Sequence, residues 1–205
     1  MKETPRQSKL FFLLAAFCIL VPSLLKLYTG ETQRLIVASG KMTQGNFVGT
    51  VIYMFHHGLE GASGVIINRR LPDKELSRIP AFIKDKGLPL YYGGPVDYPE
   101  KVIVLGRSKD GKMFSADFDK EVAKNPQYLS ELVDAAKNGT AEIRVYIGHA
   151  GWGVLQLENE FRMGVWASTT KNPDWVFYTG SPNAVWEKAI SAATEKRKPR
   201  NPGAI

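Results

Sequence analysis

Residues Tyr146 to Trp166, YIGHAGWGVLQLENEFRMGVW, constrain the fold more than any other stretch of this chain. Ile143, Val145 and Ile147 alternate with Glu142, Arg144 and Tyr146, which predicts a strand buried on one face. Glycines at 148, 151 and 153 then break the run, and Val154, Leu157 and Phe161 fall on one side of a following helix. The Gly148–Gly153 turn lacks the lysine–hydroxyl pair of a phosphate loop and the glycine spacing of a dinucleotide site. Its glycines read instead as positions that allow positive φ and a close pass of the Trp152 backbone over a sheet.

The same reading extends along the chain. Leu35–Ala38, Thr50–His56, Ala62–Asn68 and Val102–Leu105 predict strands, with Gly58–Gly61 and Lys109–Lys112 as hairpin turns. Thr50–His56 is a continuous β-branched and aromatic run, suited to burial on both faces. Lys74–Ile83 predicts a short helix. Asn125-Pro126 predicts an N-cap and first turn for a helix closed by Asn138-Gly139. Ser181-Pro182 opens a last helix whose Val185, Trp186, Ala189, Ile190 and Ala193 face the core. Strands and helices mix without regular alternation, so the expectation is α+β with a mixed, largely antiparallel sheet.

The net charge of +7 sits at the two ends. Lys2, Arg6, Lys9 and Lys26 oppose Glu3, and Lys196, Arg197, Lys198 and Arg200 oppose Glu195, which leaves 31–194 nearly neutral. A nucleic-acid-binding fold normally carries its own basic face, so specific DNA binding is not expected. Cys18 is the single cysteine, which excludes a disulfide within the chain.

Residues 10–25, LFFLLAAFCILVPSLL, carry no charge. As a helix they span roughly 24 Å, and Leu27 with interfacial Tyr28 brings 10–28 close to the ~30 Å of a bilayer core. The segment 1–30 therefore reads as a single-pass N-terminal membrane helix. A signal segment cleaved near Val21-Pro22-Ser23 is the alternative. The positive-inside rule leans toward a cytoplasmic N-terminus. The domain spans 31–194, and the basic tail 195–205 has too few apolar residues to fold.

Three blocks in order, GASGVIINRRL at 61–71, YYGGPVD at 91–97 and GHAGWGVLQLENEFRMGVW at 148–166, resemble the AlgH/YqgE family of small bacterial proteins. Phe47, Thr50-Val51 and His57 add to the likeness, which covers Leu35 to Ile190. The resemblance implies a branched sheet curled into a pseudo-barrel with flanking helices, and a regulatory label without an established activity, cofactor or catalytic residue. Members of that family typically begin near the first strand and look cytosolic. The apolar segment and basic tail depart from that pattern.

Candidate chemistry is sparse. His56 and His57 are strand neighbours facing opposite ways, and His149 is remote in sequence, so no metal site is expected. No cofactor is expected either. Glu158 and Glu160 lie roughly 200° apart around a helix, a poor acid–base pair. Ser63 and Ser168 lack a nucleophile-elbow setting, and Arg69-Arg70 reads as a solvated strand end. The favoured function is non-catalytic binding of a protein partner by a surface comprising Asn68, Gly93, Gly94, His149, Trp152, Gln156 and Glu158. A hydrolase or transferase using His149 with Glu158 or Glu160 is the alternative. The surface requires the Gly93–Pro95 and Gly148–Gly153 turns to meet at one sheet edge, with Trp152 partly exposed as an apolar anchor and Gln156 as a polar contact.

Overall fold

The computed structural model describes residues 34–195. The membrane-helix reading of 10–28 lies outside the described residues, as does the unfolded-tail reading of 195–205 apart from Glu195, which ends the last helix. Among the described residues no helix is long and apolar enough to cross a membrane.

Among the described residues, nine strands form two sheets. The first contains β1 (Arg34–Ala38), β2 (Val51–Gly58), β3 (Gly61–Ile66), β8 (Ala150–Trp152) and β9 (Trp166–Thr170), in the order β8-β3-β2-β1-β9. All its pairings are antiparallel. The second contains β4 (Leu90–Tyr92), β5 (Val102–Ser108), β6 (Met113–Asp117) and β7 (Ala141–Ile147), in the order β4-β7-β5-β6. Here β4 and β7 run parallel and the rest antiparallel. The fold is α+β with largely antiparallel sheets.

A seam joins the sheets. Beyond β3 the chain crosses to β4, where Tyr92 N donates to Arg69 O at 3.0 Å and Arg70 bridges Tyr91. The expected pseudo-barrel does not close, because among the described residues β6 pairs only with β5 and β9 only with β1. Each sheet keeps a free edge on the side away from the seam.

Apolar side chains fill three layers. Leu35, Val37, Val51, Val65, Leu105 and Tyr146 meet between the sheets, under α6 (Pro182–Glu195) and α5 (Pro173–Val176). The outer face of the second sheet is covered by α2 (Phe118–Lys124) and α3 (Tyr128–Lys137), and that of the first by α4 (Gln156–Met163). Each fully buried large apolar side chain contributes about 1.5–3 kcal/mol. The layers therefore dominate the stability of the fold.

Several local expectations are corrected. The helix read over Lys74–Ile83 is a 3-10 turn, Asp73–Arg78, and a single α-turn, α1 (Ala81–Lys84), because Pro80 cannot continue the first. Helix α3 starts at Tyr128, two residues beyond the predicted first turn, and Asn125 Oδ1 accepts from Gln127 N instead of capping α3 itself. Strand β7 is not half-solvated: Arg144 is 5 % exposed and Tyr146 0 %, since the segment around Phe177 and Tyr178 covers that face. The glycine turn contains the short strand β8, which pairs with β3. Segments β6, β9, α2 and α5 had no clear pattern in sequence.

Candidate functional site

The parallel register of β4 on β7 sets Tyr92 beside Ile147 and brings the two glycine turns together. Gly93 N donates to Ile147 O at 2.8 Å, and Gly93 O accepts from Ile66 N at 2.8 Å. A β-carbon on Gly93 would lie 2.2 Å from Gly148 O, and one on Gly94 2.3 Å from the carbonyl of His149. Gly94 also has φ +150°, which a side chain resists. Backbone thus packs directly on backbone, and only glycine permits it.

This contact fixes His149. Val96 N donates to His149 O at 2.9 Å, and His149 N donates to Val96 O at 3.0 Å. The imidazole is 20 % exposed, and its Nδ1 lies 3.8 Å from Asp97 Oδ2, without a hydrogen-bond partner among the described residues. It lines a pocket of about 330 Å³ at the open end between the sheets, with Ser63, Lys101, Ser115, Asp117 and Lys120. Phe55 and Ile103 form its apolar wall. Lys101 Nζ donates to Asp117 Oδ2 at 2.6 Å, and Lys120 lies 3.6 Å from the same oxygen. Burial of Asp117 opposes its ionisation, but Lys101 and then Lys120 outweigh that, so its carboxyl titrates below the ordinary range. The lining therefore carries one more cation than anion, with a histidine and two hydroxyls able to donate.

The remaining sequence candidates do not join His149. Trp152 is buried at 7 % exposure, which corrects its expected role as an exposed anchor. Its ring stacks on Phe47 and meets Trp166 edge-on. Gln156 Oε1 accepts from Gly153 N at 3.1 Å and its Nε2 donates to Glu160 at 3.0 Å, so it closes the turn onto α4. Glu158 lies 2.7 Å from His57 Nε2, not beside His149. Glu160 is held by Trp152 and Trp166, so neither carboxylate forms the anticipated pair with His149. Asn68 is buried and ties three backbone segments: it accepts from Val51 N and donates to Gly49 O and Pro182 O. Of the candidates, His149 lines the pocket, and Gly93 and Gly94 support it from behind.

Sequence reading missed Ser63, Lys101, Asp117 and Lys120 as neighbours. The usable signal was weak: Lys101 immediately precedes β5 and His149 follows β7, and the antiparallel pairing Val102↔Ile147 brings those ends together.

The sequence profile of AlgH-like proteins matches residues 35–197. A UPF0301 protein of Chlorobium limicola is 30 % identical over 166 residues, covering 77 % of this chain and 83 % of that one. A UPF0301 protein of Paraburkholderia phytofirmans is 33 % identical over 155 residues, covering 71 % and 80 %. Among solved structures, the AlgH protein of Pseudomonas aeruginosa shares the fold with a TM-score of 0.52 and 23 % identity, over 83 % of this chain and 94 % of that one. A Corynebacterium diphtheriae protein gives a TM-score of 0.58 at 20 % identity, over 83 % and 88 %. With its profile matched across both sheets and their seam, the chain belongs to the AlgH-like family.

Proposed function

We propose that this chain is a non-enzymatic binding protein, held at a membrane by residues 10–28, that takes an acidic side chain of a protein partner into the His149 pocket. The observation that carries the reading is the lining itself: two lysines, a histidine with an unpartnered Nδ1, and two serines surround one carboxylate already engaged by Lys101. Donors converge there, which favours capture of an oxyanion. A pocket of about 330 Å³ matches one side chain better than an extended substrate. The uncharged run 10–25 with basic flanks supports the tether.

Crosslinking and pull-down of the full-length chain from native membranes tests both parts. The wild type is expected to recover a partner, and His149→Ala with Lys120→Gln to lose it at an unchanged melting temperature. Equal recovery by the double variant would exclude this pocket as the contact. Release of the full-length protein by alkaline carbonate would exclude the tether.

A further inference from the structure

At the opposite end of the second sheet, the start of β7 and the end of β5 wall a second and larger pocket, about 700 Å³, which α3 and the Phe177 segment complete. Arg144 reaches into it from β7. Its side chain is 5 % exposed, Nη2 donates to Tyr178 O at 2.6 Å, and the guanidinium lies 4.4 Å from the Tyr91 ring and 5.7 Å from the Phe177 ring. Among the described residues no carboxylate forms an ion pair with it. A guanidinium stays charged inside a protein and offers five donors. One carbonyl, two aromatic faces and the neighbouring Tyr146 hydroxyl meet the guanidinium, but no carboxylate among the described residues neutralises its charge.

The neighbouring cations sharpen the contrast. Arg107 is neutralised by Glu142 at 2.5 Å and Asp174 at 2.6 Å. Arg70 and Lys109 stand exposed on the rim of the same pocket, and neither forms an ion pair among the described residues. Three unpaired cations therefore face one concavity in a domain that is otherwise nearly neutral. Surface lysines alone would mean little, but a buried unpaired arginine between them is costly to the fold unless something answers its charge.

We propose that this pocket binds a small phosphorylated molecule, its phosphate docked on Arg144 and flanked by Arg70 and Lys109. Three converging cations suit a multiply charged phosphate better than a single carboxylate. The volume lies in the range of small-molecule sites. This site is separate from the His149 pocket and does not depend on the reading given to it.

Inorganic pyrophosphate is the probe, added to the full-length protein at ionic strength matched with chloride. The melting temperature of the wild type is expected to rise with pyrophosphate. Arg144→Met is expected to lose that rise, read against its own ligand-free melting temperature, because the substitution removes both a buried charge and the donor to Tyr178 O. Should Arg144→Met fail to fold, the rim variant Arg70→Gln/Lys109→Gln decides: it leaves the ligand-free melting temperature unchanged and weakens pyrophosphate binding, more so at low salt. Lys120→Gln, in the other pocket, retains the full response. No rise in the wild type overturns the proposal. So does a rise that survives the rim variant, or one that Lys120→Gln abolishes.

Discussion

The indole N–H of Trp166 donates to Glu160 Oε2 at 2.6 Å, linking the first residue of β9 to a carboxylate of α4. The same oxygen accepts from Trp152 Nε1 at 2.9 Å, and Gln156 donates to the other oxygen. One carboxylate thus satisfies two buried indoles that meet at right angles over Phe47. Replacing Glu160 by Ala orphans both N–H groups. The expected cost is about 2–3 kcal/mol, which lowers the melting temperature of a domain this size by roughly 5–10 °C. Tryptophan fluorescence during urea unfolding measures it directly, and a midpoint matching wild type would remove Glu160 from the account of stability.

The glycines of the family-like blocks separate into two kinds. Gly94→Ala drives a methyl against the His149 carbonyl at a φ that side chains resist, and it is expected to destabilise by about 2–4 kcal/mol. Gly153 has only Gln156 Oε1 nearby, at 3.9 Å, so Gly153→Ala is expected to stay within about 0.5 kcal/mol of wild type. Paired denaturant melts compare the two. Similar losses at both positions would contradict the backbone-on-backbone contact.

Asp117 predicts an acid-sensitive step. Its folded-state carboxyl titrates low despite burial, owing to Lys101 and Lys120. Stability linked to a depressed carboxyl is fully present above the unfolded value of about 3.9 and is lost as pH falls through the folded value. Lys101→Met, which leaves Asp117 without its nearest cation, is therefore expected to melt below wild type at neutral pH. The difference should shrink as pH drops below about 4. A gap that stays constant from neutral to acid pH would show that Lys101 acts by packing alone.

Asn68 is expected to behave as a structural residue. Asn68→Ala leaves Val51 N, Gly49 O and Pro182 O without their partner, at a cost of about 2–4 kcal/mol. Partner capture by the folded fraction should not change. Reduced capture at full stability would restore Asn68 to a binding surface.

Much of the fold was legible because its signals are local. Leu35–Ala38 and Val102–Leu105 carry apolar runs of strand length, and Ser181-Pro182 marks the last helix. Strand β9, Trp166–Thr170, was not legible, since WASTT shows neither a long apolar run nor clean alternation and depends on its pairing with β1. The burial of Arg144 was hidden for a related reason. Alternation of apolar and polar residues reports which face prefers the core, but not whether a distant segment such as 177–178 covers the other. For the site, His149 stood out by its glycine setting, whereas Lys101 and Asp117 lie in segments without a motif and meet it only through the β5–β7 register.

The place of β1 in the first sheet has a consequence for synthesis. This strand lies between β2 and β9, the earliest described strand of the chain beside the latest. As the chain leaves the ribosome, β1, β2 and β3 can pair in succession early, but the other edge of β1 stays open until residues 166–170 emerge. Until then Leu35, Ile36 and Val37 present an unpaired apolar edge, the kind of surface on which nascent chains aggregate or recruit chaperones. Completion of the domain is thus a late, long-range event, and a ribosome stalled before β9 would hold a sheet that is nearly built yet still adhesive.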